Sequence, residues 1–92
     1  MYLEIVSPEA TLFAGEVTSV TVPGVEGEFE MLKDHAAIVS LLQDGEVKFD
    51  SSAAVAEVHA SKFSKDAGGK TVLHITSGTV EMKDNKVIVL AD

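Results

Sequence analysis

The chain has 92 residues, 46% of them hydrophobic, with no cysteine and a formal net charge of −8 from 15 acidic and 7 basic residues. This length corresponds to one small domain over residues 1–92, and the lack of cysteine excludes a disulfide scaffold and a thiolate metal site. The start has no signal-peptide pattern, no apolar run is long enough to span a bilayer, and the acidic balance disfavours nucleic acid and direct docking to anionic lipid.

The first quarter of the chain is rich in strand-forming residues and is punctuated by turn residues. Residues 2–6 predict a short strand that ends at Ser7-Pro8, because proline cannot donate to a strand ladder. Residues 11–22 predict extended structure with a bulge or bend at Gly15, where the inside/outside alternation slips. Pro23-Gly24 predicts a type II turn.

The next segments continue the same pattern. Residues 27–34 predict an irregular or short-strand segment, and the apolar run 37–42 predicts an extended one. Asp44-Gly45 predicts a hairpin turn before a strand that includes residues 47–49. Residues 79–90 predict a second hairpin that turns at Asp84-Asn85, so the spacing of strands and turns indicates an all-β sandwich or barrel.

Residues 50–70 give the weakest signal. Their alanine content favours a helix, but Val55 and Val58 alone form a thin apolar stripe, so an isolated helix would be weak. An extended hairpin that turns at Gly68-Gly69 is the preferred prediction, and a short helix is the alternative.

The predicted core is drawn from the apolar positions of these strands. Two packed sheets would make a stiff body, because close-packed interiors resist deformation. The candidates are Val6, Leu12, Phe13, Val20, Val22, Ile38, Leu41, Val47, Phe49, Ile75, Val80, Val87 and Val89.

An ordered set of short motifs resembles the N-terminal domain of the F-type ATP synthase epsilon subunit. The set consists of Ile5-Val6-Ser7-Pro8, Pro23-Gly24 followed by Gly27-Glu28-Phe29, His35-Ala36, and Val89-Leu90-Ala91-Asp92. The resemblance covers residues 1–49 and 71–92. It implies a two-sheet β-sandwich of ten strands, packed on the gamma subunit by one side and on polar loops of the membrane c-ring by its lower rim.

The same resemblance implies a function without catalysis. The chain would be a central-stalk rotor subunit that couples proton or sodium flow to ATP synthesis, with no cofactor and no metal. It would lie at the cytoplasmic face of the bacterial inner membrane as part of the F1 sector, and would touch the membrane only indirectly through the complex.

The chain departs from the family pattern in several places. Ala37 replaces a usual proline, Thr79 replaces a usual aromatic residue, and residues 50–70 are longer than the usual hairpin. The sequence ends at Asp92, where the family continues into an inhibitory two-helix hairpin. The C-terminus therefore reflects either a cut at the domain boundary or a naturally short member, and the inhibitory switch is not assigned to these residues.

The resemblance places the candidate interface in a loop that begins at Gly27. The candidates are Gly27, Glu28, Phe29, Met31, Leu32 and His35. Glu28 matches the ring-facing loop and could pair with a basic or polar group on the ring, although by itself it reads as a solvated turn acid. Phe29, Met31 and Leu32 either plug one end of the sandwich or touch the ring or gamma. His35 is expected to fix the loop through a hydrogen bond, with pH sensing as the alternative.

Two other classes of protein fit less well. An enzyme or metal protein is disfavoured because His35, His59 and His74 lie far apart and form no metal-ligand or nucleophile motif. A lipoyl- or biotinyl-like carrier would use Lys83 as its modification site, but such carriers hold that lysine in mid-chain, so a solvated hairpin lysine is the simpler interpretation.

Overall fold

The computed structural model describes residues 1–51, 55 and 57–92, and these contain ten β-strands and one 3₁₀ helix. The strands are β1 (Tyr2–Val6), β2 (Thr11–Glu16), β3 (Ser19–Gly24), β4 (Gly27–Leu32), β5 (Ile38–Leu42), β6 (Gly45–Asp50), β7 (Phe63–Lys65), β8 (Thr71–Ile75), β9 (Gly78–Lys83) and β10 (Lys86–Ala91). The 3₁₀ helix spans Glu57–Lys62. The prediction of an all-β fold with about ten short strands is confirmed.

The strands form one continuous curled sheet with two halves. The first half has the order β2-β1-β10-β9-β5, and the second has the order β4-β3-β6-β8-β7. Among the strand pairings of the described residues, the halves are joined through the pair Gly24 and Leu42. Their inner faces pack together, since the rings of Phe13 in β2 and Phe49 in β6 have centroids 4.5 Å apart. The result is the two-layer sandwich that the sequence predicts.

Alternation along the strands fills the single core between these layers. In β10, Val87, Val89 and Ala91 are buried and the intervening side chains point outward. The fully buried side chains are Leu3, Ile5, Val20, Val22, Met31, Val47, Phe49, Val80, Met82, Val87 and Val89.

Most of the core candidates are buried, but three behave differently. Leu41 is an incorrect core assignment, because it points outward while the adjacent Leu42 is buried. Val6 and Ile38 are only partly buried, and Ile38 packs against the rim of the core. Two adjacent leucines do not reveal which one faces inward, because that depends on the register with β9.

The turn predicted at Pro23-Gly24 lies two residues further along the chain. Both residues belong to β3, and the hairpin turns at Val25-Glu26 between the paired residues Gly24 and Gly27. Gly27 has a φ of 127°, a conformation that residues with a Cβ rarely adopt. The glycine required by the hairpin is therefore Gly27.

The predicted bulge at Gly15 is also misplaced. Gly15 pairs regularly with Leu3, whereas the β1–β2 register shifts between Ile5 and Val6 and leaves Leu12 as the extra residue. The slip in alternation that the sequence shows is the break at residues 17–18, where β2 ends and β3 begins.

The later turns confirm one prediction and change another. Asp84 and Asn85 both have positive φ, as a two-residue type I′ hairpin requires, and they join the paired β9 and β10. The connection at residues 43–44 is a corner between the two halves and not a hairpin, because β5 pairs with β9 and β6 pairs with β3 and β8.

The segment 50–70 contains both structures that the sequence left open. The 3₁₀ helix realises the short-helix alternative over Glu57–Lys62, and β7 forms a hairpin with β8 through the turn that contains Gly68-Gly69. Residues 52–54 and 56, which the same prediction includes, lie outside the described residues.

Candidate functional site

The strand registers define two opposite ends of the sandwich. One end, called here the hairpin end, carries the β3–β4 turn at residues 25–26, the β5–β6 corner at 43–44 and the β8–β9 connection at 76–77. The opposite end carries the segment 33–37 and the β9–β10 turn at 84–85. Any partner that contacts both ends must span the full length of the strands.

The segment predicted as one interface loop does not form a loop. Residues Gly27–Leu32 form β4, an edge strand that pairs with β3 along its whole length. The two ends of this six-residue strand lie about 16 Å apart, because a strand rises roughly 3.3 Å per residue. Glu28 therefore lies at the hairpin end and His35 at the opposite end, so the structure does not bring these two candidates together.

Alternation along β4 separates the remaining candidates. Met31 is completely buried in the core and Phe29 is half-buried against it, so the outward surface of this strand comes from Glu28, Glu30 and Leu32. Met31 is thus a core residue and is removed from the candidate interface. Phe29 matches the alternative that the sequence left open, an apolar plug at the edge of the sandwich.

Glu28 lies beside the β3–β4 turn with its side chain in solvent. Among the described residues, no hydrogen bond or ion pair engages its carboxylate. The surrounding hairpin end is predominantly acidic. Its carboxylates come from Glu9, Glu26, Glu28, Asp44 and Asp92, and Lys62 lines the same end near Asp92. The imidazole Nε2 of His74 lies 2.9 Å from Oδ1 of Asp44, so one of these acids already has a neighbour that can carry positive charge.

His35 follows a tight turn at the opposite end. Its backbone N–H donates to the carbonyl of Leu32 at 3.0 Å, and Asp34 between them has a φ of 64°. The ring Nδ1 of His35 lies 2.7 Å from the carbonyl oxygen of Ala36, so this nitrogen donates when it carries the proton. The hydrogen bond expected for this histidine is therefore present within its own segment.

Sequence reasoning missed an apolar surface on the outside of the first half. Val39, Leu41 and Leu90 are 74%, 63% and 50% exposed, and they point away from the core on β5 and β10. Leu41 on β5 pairs with Thr79 on β9, Thr79 pairs with Leu90 on β10, and Leu90 pairs with Val6 on β1. We call the outward residues Val6, Val39, Leu41, Ile88 and Leu90 the apolar face.

The apolar face reaches the hairpin end. Val25 in the β3–β4 turn is half exposed, and its backbone N–H donates to the carbonyl of Leu41 at 3.2 Å. In the register, Thr79 lies between Leu41 and Leu90, and Glu81 lies between Val39 and Ile88. Large apolar side chains scattered singly over a surface are ordinary, whereas several grouped on one sheet face favour a contact site. The alternation of residues along β5 could have revealed this surface, but Leu41 was predicted to lie in the core.

Other kinds of site receive no support from the described part of the chain. No group of three or more His, Asp or Glu side chains within it is arranged to hold a metal ion. The described residues include no helix that is long and apolar enough to cross a membrane.

Comparisons with known proteins identify the family. Residues 1–62 match the model of the ATP synthase, Delta/Epsilon chain, beta-sandwich domain. The ATP synthase epsilon chain of Wolinella succinogenes is 47% identical over 91 residues, which are 98% of this chain and 58% of that protein. The epsilon chain of Campylobacter fetus is 37% identical over 92 residues, covering this whole chain and 60% of that one.

Solved structures show the same fold at low identity. A chain of the Tetrahymena thermophila mitochondrial ATP synthase central stalk and c-ring structure aligns with a TM-score of 0.72 at 15% identity, covering 98% of this chain and 61% of that chain. A chain of the Euglena gracilis mitochondrial ATP synthase aligns with the same TM-score at 21% identity, covering 97% and 48%.

The chain belongs to the ATP synthase delta/epsilon family and corresponds to its β-sandwich domain. The curated relatives are ATP synthase epsilon chains, the family that the sequence motifs resemble. The carrier-module alternative is not supported, and Lys83 is an exposed residue at the end of β9. The chain spans about 60% of the length of the curated relatives that it matches.

Proposed function

We propose that this domain is the non-catalytic rotor part of an F-type ATP synthase epsilon subunit, bound to gamma and to the c-ring loops. The observation that carries the proposal is the apolar face, which adjoins an acidic hairpin end on an epsilon-family sandwich. The relatives are bacterial, which supports a position in the F1 sector at the cytoplasmic face of the inner membrane.

The apolar face is assigned to gamma. A permanent contact between subunits is more apolar than ordinary protein surface, and its central residues are shielded from water. Val39, Leu41 and Leu90 supply such a centre on a rigid sheet, because β5, β9 and β10 are hydrogen-bonded along their length. Their side chains need little reordering on binding, since strand pairing already fixes the backbone beneath them.

The hairpin end is assigned to the c-ring loops. Its carboxylates, with Glu28 beside the turn, complement loops that present basic or polar groups. Charge complementarity at such a rim fixes orientation and register more than it adds affinity. The apolar face and this rim share the Val25–Leu41 contact, so one subunit can engage two partners from adjacent surfaces.

The gamma assignment is tested in the full-length epsilon chain by measuring its affinity for the gamma subunit. The double substitution Val39→Gln with Leu41→Gln is expected to weaken binding by about tenfold or more, as loss of central apolar contacts usually does. Val58→Gln is the matched control, because Val58 is a 78% exposed valine on the 3₁₀ helix and outside the apolar face. Equal affinity for wild type and the double variant would reject the assignment.

The ring assignment is tested by coupling. Glu28→Lys in the assembled synthase is expected to lower ATP-driven ion pumping relative to ATP hydrolysis while leaving gamma affinity and folding stability unchanged. Glu16→Lys is the control, because Glu16 is an exposed acid at the end of β2, at the opposite end of the sandwich. Normal coupling in the Glu28→Lys enzyme would rule out the role given to this carboxylate.

A further inference from the structure

Two side chains that are far apart in sequence hold each other at the end opposite the acidic rim. The backbone N–H of Asp34 donates to Oδ1 of Asn85 at 2.8 Å, and Nδ2 of Asn85 donates to Oδ1 of Asp34 at 3.0 Å. The residues are 51 positions apart, so this reciprocal pair joins the segment after β4 to the β9–β10 turn. We call it the Asp34–Asn85 clamp.

The chemistry of the pair requires an amide on one side. Asn85 uses its oxygen as an acceptor and its NH₂ group as a donor, and only a carboxamide offers both at this spacing without a change of protonation. Asp34 supplies a carboxylate acceptor together with its backbone donor. Both residues have left-handed φ values, which Asn and Asp tolerate better than other residues with a side chain.

The clamp lies at the entrance to the strand that carries the apolar face. Segment 33–37 leads directly into β5, and β5 presents Val39 and Leu41. The far end of β5 is held on its second side by the Gly24–Leu42 pair and by the Val25 N–H bond to Leu41. Among the strand pairings within the described part of the chain, the near end of β5 is paired with β9 on one side.

We propose that Asn85 is a positioning residue that fixes the entry of β5 through Asp34 and so orients the apolar face for its partner. This inference rests on the proposed function, because it takes gamma as that partner. One end of β5 is held on both sides and the other end on one side. The less restrained end needs a second restraint to keep its outward side chains in one arrangement.

Substitutions at the turn separate the clamp from hairpin formation. Asn85→Gly leaves an Asp-Gly sequence, which is well suited to a type I′ turn, but removes both clamp hydrogen bonds. Asp84→Gly is the matched control, since it changes the other turn residue with positive φ and leaves the clamp intact. Asn85→Asp places two carboxylates against each other, and adding Asp34→Asn restores an amide opposite a carboxylate.

The experiment uses the full-length epsilon chain and two readouts, amide hydrogen exchange over β5 residues Ile38–Leu42 and affinity for purified gamma. Asn85→Gly and Asn85→Asp are expected to speed exchange in this segment about tenfold and to weaken gamma binding several-fold. The Asp34→Asn, Asn85→Asp double variant is expected to return both values to within about twofold of wild type. A purely structural turn residue would not be rescued by this exchange of groups.

Two results would overturn the proposal. One is that Asn85→Gly matches Asp84→Gly in exchange and affinity, and the other is that the double variant fails to rescue Asn85→Asp. If the wild-type chain does not bind gamma at all, the proposed function fails together with the positioning role. The exchange data then still decide whether the clamp holds β5, because they need no partner.

Discussion

The two outer faces of the sandwich differ although their inner faces share one core. Among the described strands, those of the first half expose three large apolar side chains, Val39, Leu41 and Leu90, whereas those of the second half expose one, Leu32. Both outer faces carry an ion pair, Lys86 with Glu4 at 3.9 Å on the first half and Lys70 with Glu30 at 3.5 Å on the second. A sheet face in contact with water is normally polar. The second half follows that rule more closely than the first, and this difference is the reason for proposing the apolar face as the binding surface.

The largest predicted effect tests whether both faces rest on one cooperative core. Phe49 is fully buried and contacts Phe13 across the two halves and Phe63 within the second half, with ring centroids 4.5 and 6.2 Å apart. Phe49→Ala is expected to lower the free energy of unfolding by about 3–5 kcal/mol through the lost contacts and the cavity left behind.

Denaturant unfolding followed at both halves checks this prediction. Phe29→Ala serves for comparison, because Phe29 is only half-buried at the sandwich edge and its loss is expected to cost less. Separate unfolding transitions for the two halves of the wild-type domain would contradict the single core.

The second prediction concerns the backbone that supports the apolar face. A Cβ at Gly78 would clash with the carbonyl oxygen of Leu90, so β9 and β10 would have to move apart. Gly78→Ala is expected to destabilise the domain by about 2–3 kcal/mol through this overpacking. Gly68→Ala, whose nearest new contact is 3.5 Å away, is expected to be close to neutral in the same thermal unfolding measurement.

The third prediction compares the inner and outer faces of the first half by making the same valine-to-threonine substitution on each. Val80 is buried on β9 and Val39 is exposed on the neighbouring β5. Val80→Thr is expected to cost about 1–3 kcal/mol because it buries a hydroxyl group, whereas Val39→Thr is expected to stay within about 0.5 kcal/mol. Equal losses in unfolding free energy would mean that Val39 has a structural role in the free domain.

The smallest predicted effect lies on the polar face. Lys70 and Glu30 are both partly exposed, and solvent weakens such pairs. Lys70→Ala is expected to change the free energy of unfolding by less than about 0.5 kcal/mol, with a difference that shrinks at high salt. A larger loss that persists in high salt would show that the second half depends on its ion pairs.

Features set by local sequence were predictable in this chain. Alternating apolar residues identify β9 and β10, and Asp84-Asn85 identifies the turn between them, because a two-residue turn depends on residues that tolerate positive φ. The family is likewise recognisable from the amino-acid order alone, through the motifs around Gly27 and Asp92.

Features set by pairing between distant strands were not predictable. Segment 33–37 meets the β9–β10 turn about 50 residues further along the chain, which no local pattern announces. Residues 27–34 predicted either an irregular segment or a short strand, and the strand alternative is the correct one. A one-residue shift in the register of β5 would move Leu41 into the core and Leu42 to the surface, and no local sequence feature selects between the two registers. The Asp34–Asn85 clamp joins two turns that only the folded chain brings together.

The central claim is that the apolar face binds gamma, and the most direct test maps the contact. The full-length epsilon chain with labelled methyl groups is titrated with gamma and followed by nuclear magnetic resonance. We expect the methyl signals of Val39, Leu41 and Leu90 to shift while those of Val58 stay in place. Shifts confined to residues outside the apolar face, or no shifts at saturating gamma, would contradict it.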